Sequence, residues 1–302
     1  MRKRRQVSVA VVALLLLVPF LVPIPDDFER MRSLRALGVL AHFGLPAALA
    51  FVLFRTGPLK GRLLLAGLSA LGLAAGCELL QTFVARHPRW LDVGVDLAGV
   101  SMAVGWLAWR LGRGRIWIAA SVAGFAVLLS QTYSIPGFVL AEGRAAKAFP
   151  VLGDFESGLQ MALWDHNQGG GGRYDRVTLR DGSHAMAMRA NADNVYPGAI
   201  VRGLPRDWTE YSVLTFRARL EQGAGTQLTV RLDDFDSRED TLWCGETFRL
   251  DEEWRSYSID LVNASAQVSE RPFRLDDIDS LLLYLTRVED GVTVLIDDIV
   301  LR

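Results

Sequence analysis

Cysteine is scarce: Cys77 and Cys244 are the only two among 302 residues. They build no disulfide framework, and their spacing matches no zinc-binding pattern. A bond between them is not expected, because one falls in an apolar segment and the other in a polar one. An excess of one charge sign is also missing. The net charge is -1, and no nucleic-acid partner is expected. Two segments, Val7 to Ile24 and Ile116 to Ala141, carry no charge at all. The first half of the chain holds no Ser-His-Asp order, no metal-ligand spacing and no phosphate loop, so the reading leans away from an enzyme.

What is present is divided unevenly. Nearly all the long apolar runs fall before Ala141, whereas residues 142 to 302 read as an ordinary polar globular sequence. A bilayer span needs about 20 predominantly apolar residues. Five segments approach that length: Val7 to Ile24, Ala36 to Phe54, Leu63 to Ala85, Val93 to Trp109 and Ile116 to Ala141. The expected fold is an α-helical transmembrane bundle of five spans followed by an all-β jelly-roll sandwich. Residues 1–141 would form the membrane domain, 142–150 a linker and 151–302 the sandwich. The first apolar run is followed by PIPDDF, which offers no small-x-small cleavage site, so it reads as a retained anchor. The stretch LAAGC ending at Cys77 reads as tight helix packing by small residues rather than as an acylation site.

Positive residues in short loops set orientation. With the N-terminus inside, the cytoplasmic stretches hold Arg2, Lys3, Arg4, Arg5, Arg55, Lys60, Arg62, Arg110, Arg113 and Arg115. The other side holds Arg30, Arg32, Arg35, Arg86 and Arg89. The expected location is a bacterial inner or plasma membrane, multi-pass, with a cytoplasmic N-terminus, an extracytoplasmic C-terminal domain and membrane lipids as partners.

Acidic groups interrupt the apolar runs. Glu78 and Asp96 lie where hydrocarbon is expected, and an ionisable side chain at that depth needs a partner, water or a function. Glu78 and Gln81 share a helix face, as do Asp92 and Asp96. Arg86 and Arg89 lie in the short connection between these helices, and His42 lies about two turns into the second span. His42, Glu78, Gln81, Arg86, Asp92 and Asp96 would gather into one polar pocket or an interhelical network.

This set resembles the VanZ-like family of bacterial membrane proteins. The matched features are the HF of His42-Phe43, the ELLQ of Glu78 to Gln81, and Arg86 six residues before Asp92. Asp96 follows four residues later, and Gly99 and Gly105 continue the pattern. The resemblance covers roughly residues 1–112. Two departures are Val39, where the family often has Lys, and Asp96, where it often has Asn; Arg35 would have to replace that Lys in any anion binding. The resemblance implies a cell-envelope protein of an antibiotic-resistance-related family, with no reaction attached. Ion pairs that fix the bundle, a functional pocket and catalysis all stay open for these residues.

After Val151 the hydrophobic period changes to two. Leu214, Phe216, Ala218 and Leu220 alternate with Thr215, Arg217 and Arg219. Leu228, Val230 and Leu232 alternate with Thr229, Arg231 and Asp233, and Val292, Val294 and Ile296 with Thr293, Leu295 and Asp297. Such alternation marks half-buried antiparallel strands. The pieces LGDFESG, YPGAIV, DWTEYSVLTFRARL, EEWRSYSIDL and VTVLIDDIVL resemble carbohydrate-binding modules and related galactose-binding-like jelly rolls, over about residues 151–302.

Sugars are held by flat aromatic faces beside planar polar groups. Trp164 with Asp165, Tyr174, Tyr196 and Trp243 fall in expected loops and are candidate ligand contacts; Trp208, Trp254 and Phe216 fit core or strand-edge positions better. The glycines Gly169 to Gly172 read as a loop tip, since no helix pattern follows. The resemblance implies a structural Ca2+ between the first and last strands, with Asp154, Glu156, Asp297 and Asp298 as its ligands. The acidic run Arg231 to Asp240 lacks EF-hand spacing. Three functions are compatible with this sequence: a membrane-anchored glycan receptor, an enzyme or transporter-like protein acting on a lipid-linked envelope precursor, and an anchor whose sandwich docks a partner protein.

Overall fold

Apolar residues recur at helical spacing through the first half, and the computed structural model is helical there. It describes residues 30–56, 59–81, 90–167, 171–237, 243–268 and 271–302. The first expected span, Val7 to Ile24, lies outside the described residues, as do Arg86 and Arg89 and the side chain of Gln81. Helix α1 runs Arg32–Arg55, α2 Leu63–Gln81, α3 Trp90–Arg110, α4 Ile116–Thr132 and α5 Ile135–Ala148. Among the described residues, four helical stretches are long and apolar enough to cross a membrane by length and composition: Arg32–Arg55, Leu63–Leu80, Leu91–Arg110 and Ile116–Ala148. The last combines α4 and α5. The fourth expected span begins three residues before its expected start, at Trp90 rather than Val93.

The described chain divides into two compact units, one with Ser33–Ile135, the other with Arg30–Arg32 and Pro136–Arg302. In the first unit α1 buries Phe43, Ala47, Ala50 and Phe54, one stripe of a helix. On α2, Ala66, Ala70 and Ala74 are fully buried at intervals of four, a row of small side chains that lets neighbouring backbones come close. Gly99 on α3 marks the tightest approach: a Cβ there would lie 2.1 Å from the carbonyl oxygen of Phe43 on α1. No other residue fits this crossing without moving one helix.

The unit boundary falls earlier in the chain than the composition break suggests. Ile116 to Ala141 reads as one apolar run, yet Pro136 onward belongs with the sandwich, and Ala141 and Ala145 of α5 are buried in the sandwich core. Residues 142–148, expected as linker, are therefore helix.

The second unit is an antiparallel β-sandwich. Its strands are β1 Val151–Gly153, β2 Trp164–His166, β3 Arg173–Thr178, β4 His184–Ala190, β5 Gly198–Arg202, β6 Val213–Gln222, β7 Gln227–Asp234, β8 Cys244–Arg249, β9 Arg255–Asp260, β10 Ile278–Thr286 and β11 Val292–Leu301, with short helices α6 Gly158–Met161 and α7 Leu261–Ala266. One sheet has the order β3-β4-β11-β6-β9, with β1 also pairing with β11; the other has the order β2-β5-β10-β7-β8. The expected alternation holds. Leu214, Phe216, Ala218, Leu220, Leu228, Val230, Leu232, Val292, Val294 and Ile296 all lie in the core between the sheets. Leu295 and Asp297, on the opposite face of β11, are buried as well.

Candidate functional sites

The second sheet has a polar and aromatic outer face. Leu228, Val230 and Leu232 of β7 and Leu281, Leu283 and Leu285 of β10 point into the core, so the residues between them point away. Cross-strand register aligns these outward residues in rows. Gly198, Tyr284, Thr229 and Thr247 form one row, and Ile200, Leu282, Arg231 and Gly245 the next. Arg202, Ser280 and Asp233 form a third. Contacts tie the rows together. Arg231 Nε donates to Asp233 Oδ1 at 2.7 Å, Ser280 Oγ donates to Asp233 Oδ2 at 3.3 Å, and the hydroxyls of Thr229 and Thr247 meet at 2.9 Å. Burial raises the Asp233 carboxyl above its ordinary range, although the Arg231 guanidinium opposes the shift.

Aromatic rings border this face. Tyr196 is 58% exposed, at a left-handed backbone position (φ 51°). Its ring stands edge-on to Tyr284, with centroids 5.6 Å apart. The Arg231 guanidinium lies 5.8 Å from the ring centre of half-buried Trp243. Rings and planar polar groups held in place by neighbours are the elements that carbohydrate recognition requires.

The expected ligand contacts separate. Tyr196 and Trp243 border the outer face of the second sheet, and Asp165 pairs with Ile200 at the β2 edge of that sheet, where Asp165 Oδ1 accepts the His166 N–H. Trp164 does not belong to this set. It is 1% exposed, pairs with Val201 on β5 and packs its ring 5.9 Å from Phe155. A short strand turned it into the core, where a loop was expected. Tyr174 is half-buried on β3 and donates its hydroxyl proton to the Trp164 carbonyl at 2.8 Å; burial pushes its pKa up to about 12. It acts as a brace. Tyr284, Arg231 and Asp233 were not among the expected contacts. Leu282 conceals the alternation around Tyr284, whereas the outward positions of Arg231 and Asp233 were already legible.

The carboxylates expected to bind calcium hold protein partners. Glu156 accepts from the His184 backbone N–H at 2.9 Å and faces its ring Nδ1 at 3.0 Å, contacts that hold its carboxyl below the ordinary range. Asp154 accepts from the Glu156 N–H, Asp298 pairs with Arg217 at 3.0 Å, and Asp297 accepts the Asp298 N–H at 2.8 Å. Burial pushes Asp297 up to about 6, with the charges of Asp298 and Glu156 adding to the shift. The local charge suits a cation. Among the described residues, no three of these carboxylates bring their donor atoms within 4.8 Å of one another.

The helical unit does gather such a group, from residues expected together in one polar pocket. Donor atoms of His42 on α1, Glu78 on α2 and Asp92 on α3 all lie within 4.8 Å of one another. His42 Nδ1 is 3.3 Å from Asp96 Oδ1 and 3.6 Å from Glu78 Oε1. Glu78 is 3% exposed and Asp96 0%. Of the six expected pocket residues these four converge; Arg86 and the Gln81 side chain lie outside the description.

No family model matches the chain, and no curated protein does. Among solved structures, it is similar to a family 11 carbohydrate-binding module from Clostridium thermocellum, in complex with a β-1,3-1,4-mixed-linked tetrasaccharide. The identity is 19% and the TM-score 0.39, covering 50% of this chain and 93% of that one. A family 30 carbohydrate-binding module of a cellulosomal cellulase from the same organism matches at 15% identity and TM-score 0.36, covering 50% and 91%. An exo-β-agarase matches at 16% identity and TM-score 0.39, covering 50% and 25%. Likeness at this level names no ligand for this chain.

Proposed function

We propose that this protein is a membrane-anchored glycan-binding protein whose ligand lies on the outer face of the second sheet. The observation that carries the reading is the exposed Tyr196 ring, edge-on to Tyr284, on a sheet face whose next rows present the Arg231–Asp233 pair. The ring offers a sugar an apolar face, and the pair offers fixed donors and acceptors for hydroxyl groups. The outer face of the first sheet is a poorer candidate, because Arg217 and Arg219 already flank the Trp254 ring at 5.0 and 5.5 Å.

The membrane reading rests on the four apolar helical stretches and on leucines such as Leu64, Leu68 and Leu79, which are 55%, 66% and 68% exposed; apolar surface of this kind requires lipid or protein cover. Counting Val7 to Ile24 as a fifth span, the ten-to-five distribution of positive residues supports a cytoplasmic N-terminus and an extracytoplasmic sandwich. The HF, ELLQ and Arg-Asp motifs support a VanZ-like helical unit.

The test is binding of the full chain in detergent to a panel of plant, algal and bacterial glycans. Tyr196→Ala and Arg231→Ala should each weaken the interaction at least tenfold, while Trp254→Ala leaves it unchanged. Absence of binding across the panel would overturn the reading. A second reading, action on a lipid-linked envelope precursor, draws on the buried polar cluster between the helices. It requires Glu78→Gln to abolish the cellular phenotype at normal protein abundance.

A further inference from the structure

Tyr196 holds a conformation that its own sequence resists. Its φ of 51° lies in the left-handed region, which is uncommon for a bulky side chain. It also precedes Pro197, and a residue before proline ordinarily keeps extended backbone. Such a position persists only where its surroundings hold it, and positions of this kind cluster at ligand-binding sites. Here the holding contacts are specific. Asn167 donates its Nδ2–H to the Tyr196 carbonyl at 3.0 Å and its backbone N–H to the Gly198 carbonyl at 3.0 Å. Between them the buried Pro197 offers its carbonyl to the Leu285 N–H at 2.9 Å. Three consecutive carbonyls are taken, two of them by one asparagine.

The glycine-rich stretch serves the same loop. Gly171 and Gly172 have φ of 66° and 77°. A Cβ on Gly171 would lie 2.5 Å from Asn194 Nδ2; one on Gly172 would lie 2.8 Å from Pro197 Cβ and 2.9 Å from the Arg189 carbonyl oxygen. No side chain fits at Gly172 without moving Pro197 or strand β4. Asn191 and Asn194 close the turn that leads to Tyr196. The Asn191 N–H donates to Asn194 Oδ1 at 2.9 Å, and the Asn194 N–H to the Asn191 carbonyl at 3.0 Å.

We propose that Asn167 is the positioning residue of the glycan site, and that with Gly172 it presets the Tyr196 ring as a rigid platform for the apolar face of a pyranose ring. A platform fixed before binding avoids the cost of ordering it during association. The effect on affinity rests on the glycan reading; the bracing of Tyr196 does not.

The full chain, labelled with 3-fluorotyrosine in detergent, tests both parts. It has six tyrosines, and Tyr196→Phe assigns the fluorine resonance of Tyr196. Asn167→Ala removes the Nδ2 donor but keeps the backbone bond to Gly198; Asn167→Asp replaces that donor by an acceptor of nearly the same shape. Both should narrow the Tyr196 resonance and move it towards free 3-fluorotyrosine, with those of Tyr174, Tyr211 and Tyr257 unmoved. On the panel of plant, algal and bacterial glycans, both should weaken the best-bound member by a factor of about five or more. Asn167→Ala should add nothing to the loss caused by Tyr196→Ala. An unmoved Tyr196 resonance in both variants overturns the proposal, as does an equal loss from Asn167→Ala with and without the Tyr196 ring. Should neither variant fold, the wild type decides: a Tyr196 resonance as sharp as free 3-fluorotyrosine overturns a preset ring. If the wild type binds no glycan, the sugar platform falls with the glycan reading, and the resonance still decides whether Asn167 holds the ring.

Discussion

Gly198 and Tyr284 are direct partners across β5 and β10, and a Cβ on Gly198 would lie 2.7 Å from the Cβ of Tyr284 and 2.3 Å from the Leu283 carbonyl oxygen. The glycine therefore creates the space that the tyrosine occupies. Gly198→Ala should cost about 1–3 kcal/mol through overpacking and shift Tyr284 under Tyr196. Denaturant unfolding measures the first effect and glycan titration the second. An alanine variant with unchanged stability would contradict the crowding.

Asp297 makes the sandwich sensitive to pH. Its folded-state pKa, about 6, lies above the ordinary 3.8, so the folded state holds this proton more tightly than the unfolded chain does. The contribution of this group to stability consequently falls as pH rises from about 4 to about 6, and the penalty is complete above that window. Asp297→Asn, which keeps an acceptor for the Asp298 N–H, should gain about 1–3 kcal/mol at pH 7.5 and little at pH 4. A gain that does not depend on pH would rule out the titration. Calcium adds a second arm. The side-chain geometry leads to no change in Tm with Ca2+; a rise at pH 7.5 that Asp297→Asn removes would restore the calcium site.

Arg271 clamps Asp234, which is 1% exposed, with both terminal guanidinium nitrogens, while Ser237 Oγ and the Arg274 N–H also donate to the carboxylate. Burial alone would raise the Asp234 carboxyl, but these contacts hold it below the ordinary range. The stability it provides is present above about pH 4 and is lost as pH falls through its folded value. Arg271→Ala should cost about 2–4 kcal/mol by leaving a buried charge with fewer partners. Adding Asp234→Asn should recover part of that loss, and a double variant no better than the single one would argue against the clamp.

Residues 136–302 should fold alone, and better than residues 151–302, because Ala141 and Ala145 of α5 belong to the same core. Cys244 reports on that folding. Burial pushes its thiol up to about 12, so an aromatic disulfide reagent should label it only after urea unfolds the domain. Rapid labelling of the native fragment, or equal melting of the two fragments, would contradict this packing.

Much of the fold was legible because burial leaves a periodic trace. The faces of β6, β7 and β11 could be read from alternation alone, and α1 to α4 from apolar length. The remainder depended on tertiary partners. Trp164 precedes a polar, glycine-rich stretch and looks like part of a loop, yet pairing with β5 draws it into a three-residue strand. Tyr284 sits among leucines on both faces of β10, so its outward direction emerges only from register. His42, Glu78 and Asp92, 36 and 14 residues apart along the chain, were by contrast expected together, because each interrupts an apolar helical run. Helix α5 continues the last apolar run to Ala148, and two of its alanines pack in the core of the second unit.

Strand β11 is the last of the described strands in chain order, yet it lies within the first sheet, with β4 and β1 on one side and β6 on the other. The pairs β3–β4 and β6–β9 can form beforehand, but only β11 joins them into one sheet. Its contact with β1 closes a loop of nearly the whole domain, a slow event because distant segments must meet before burial rewards them. Assembly of this sandwich must therefore wait until Val292–Leu301 has left the ribosome, and until then the halves of the sheet expose unpaired edges to any chaperone or neighbouring chain.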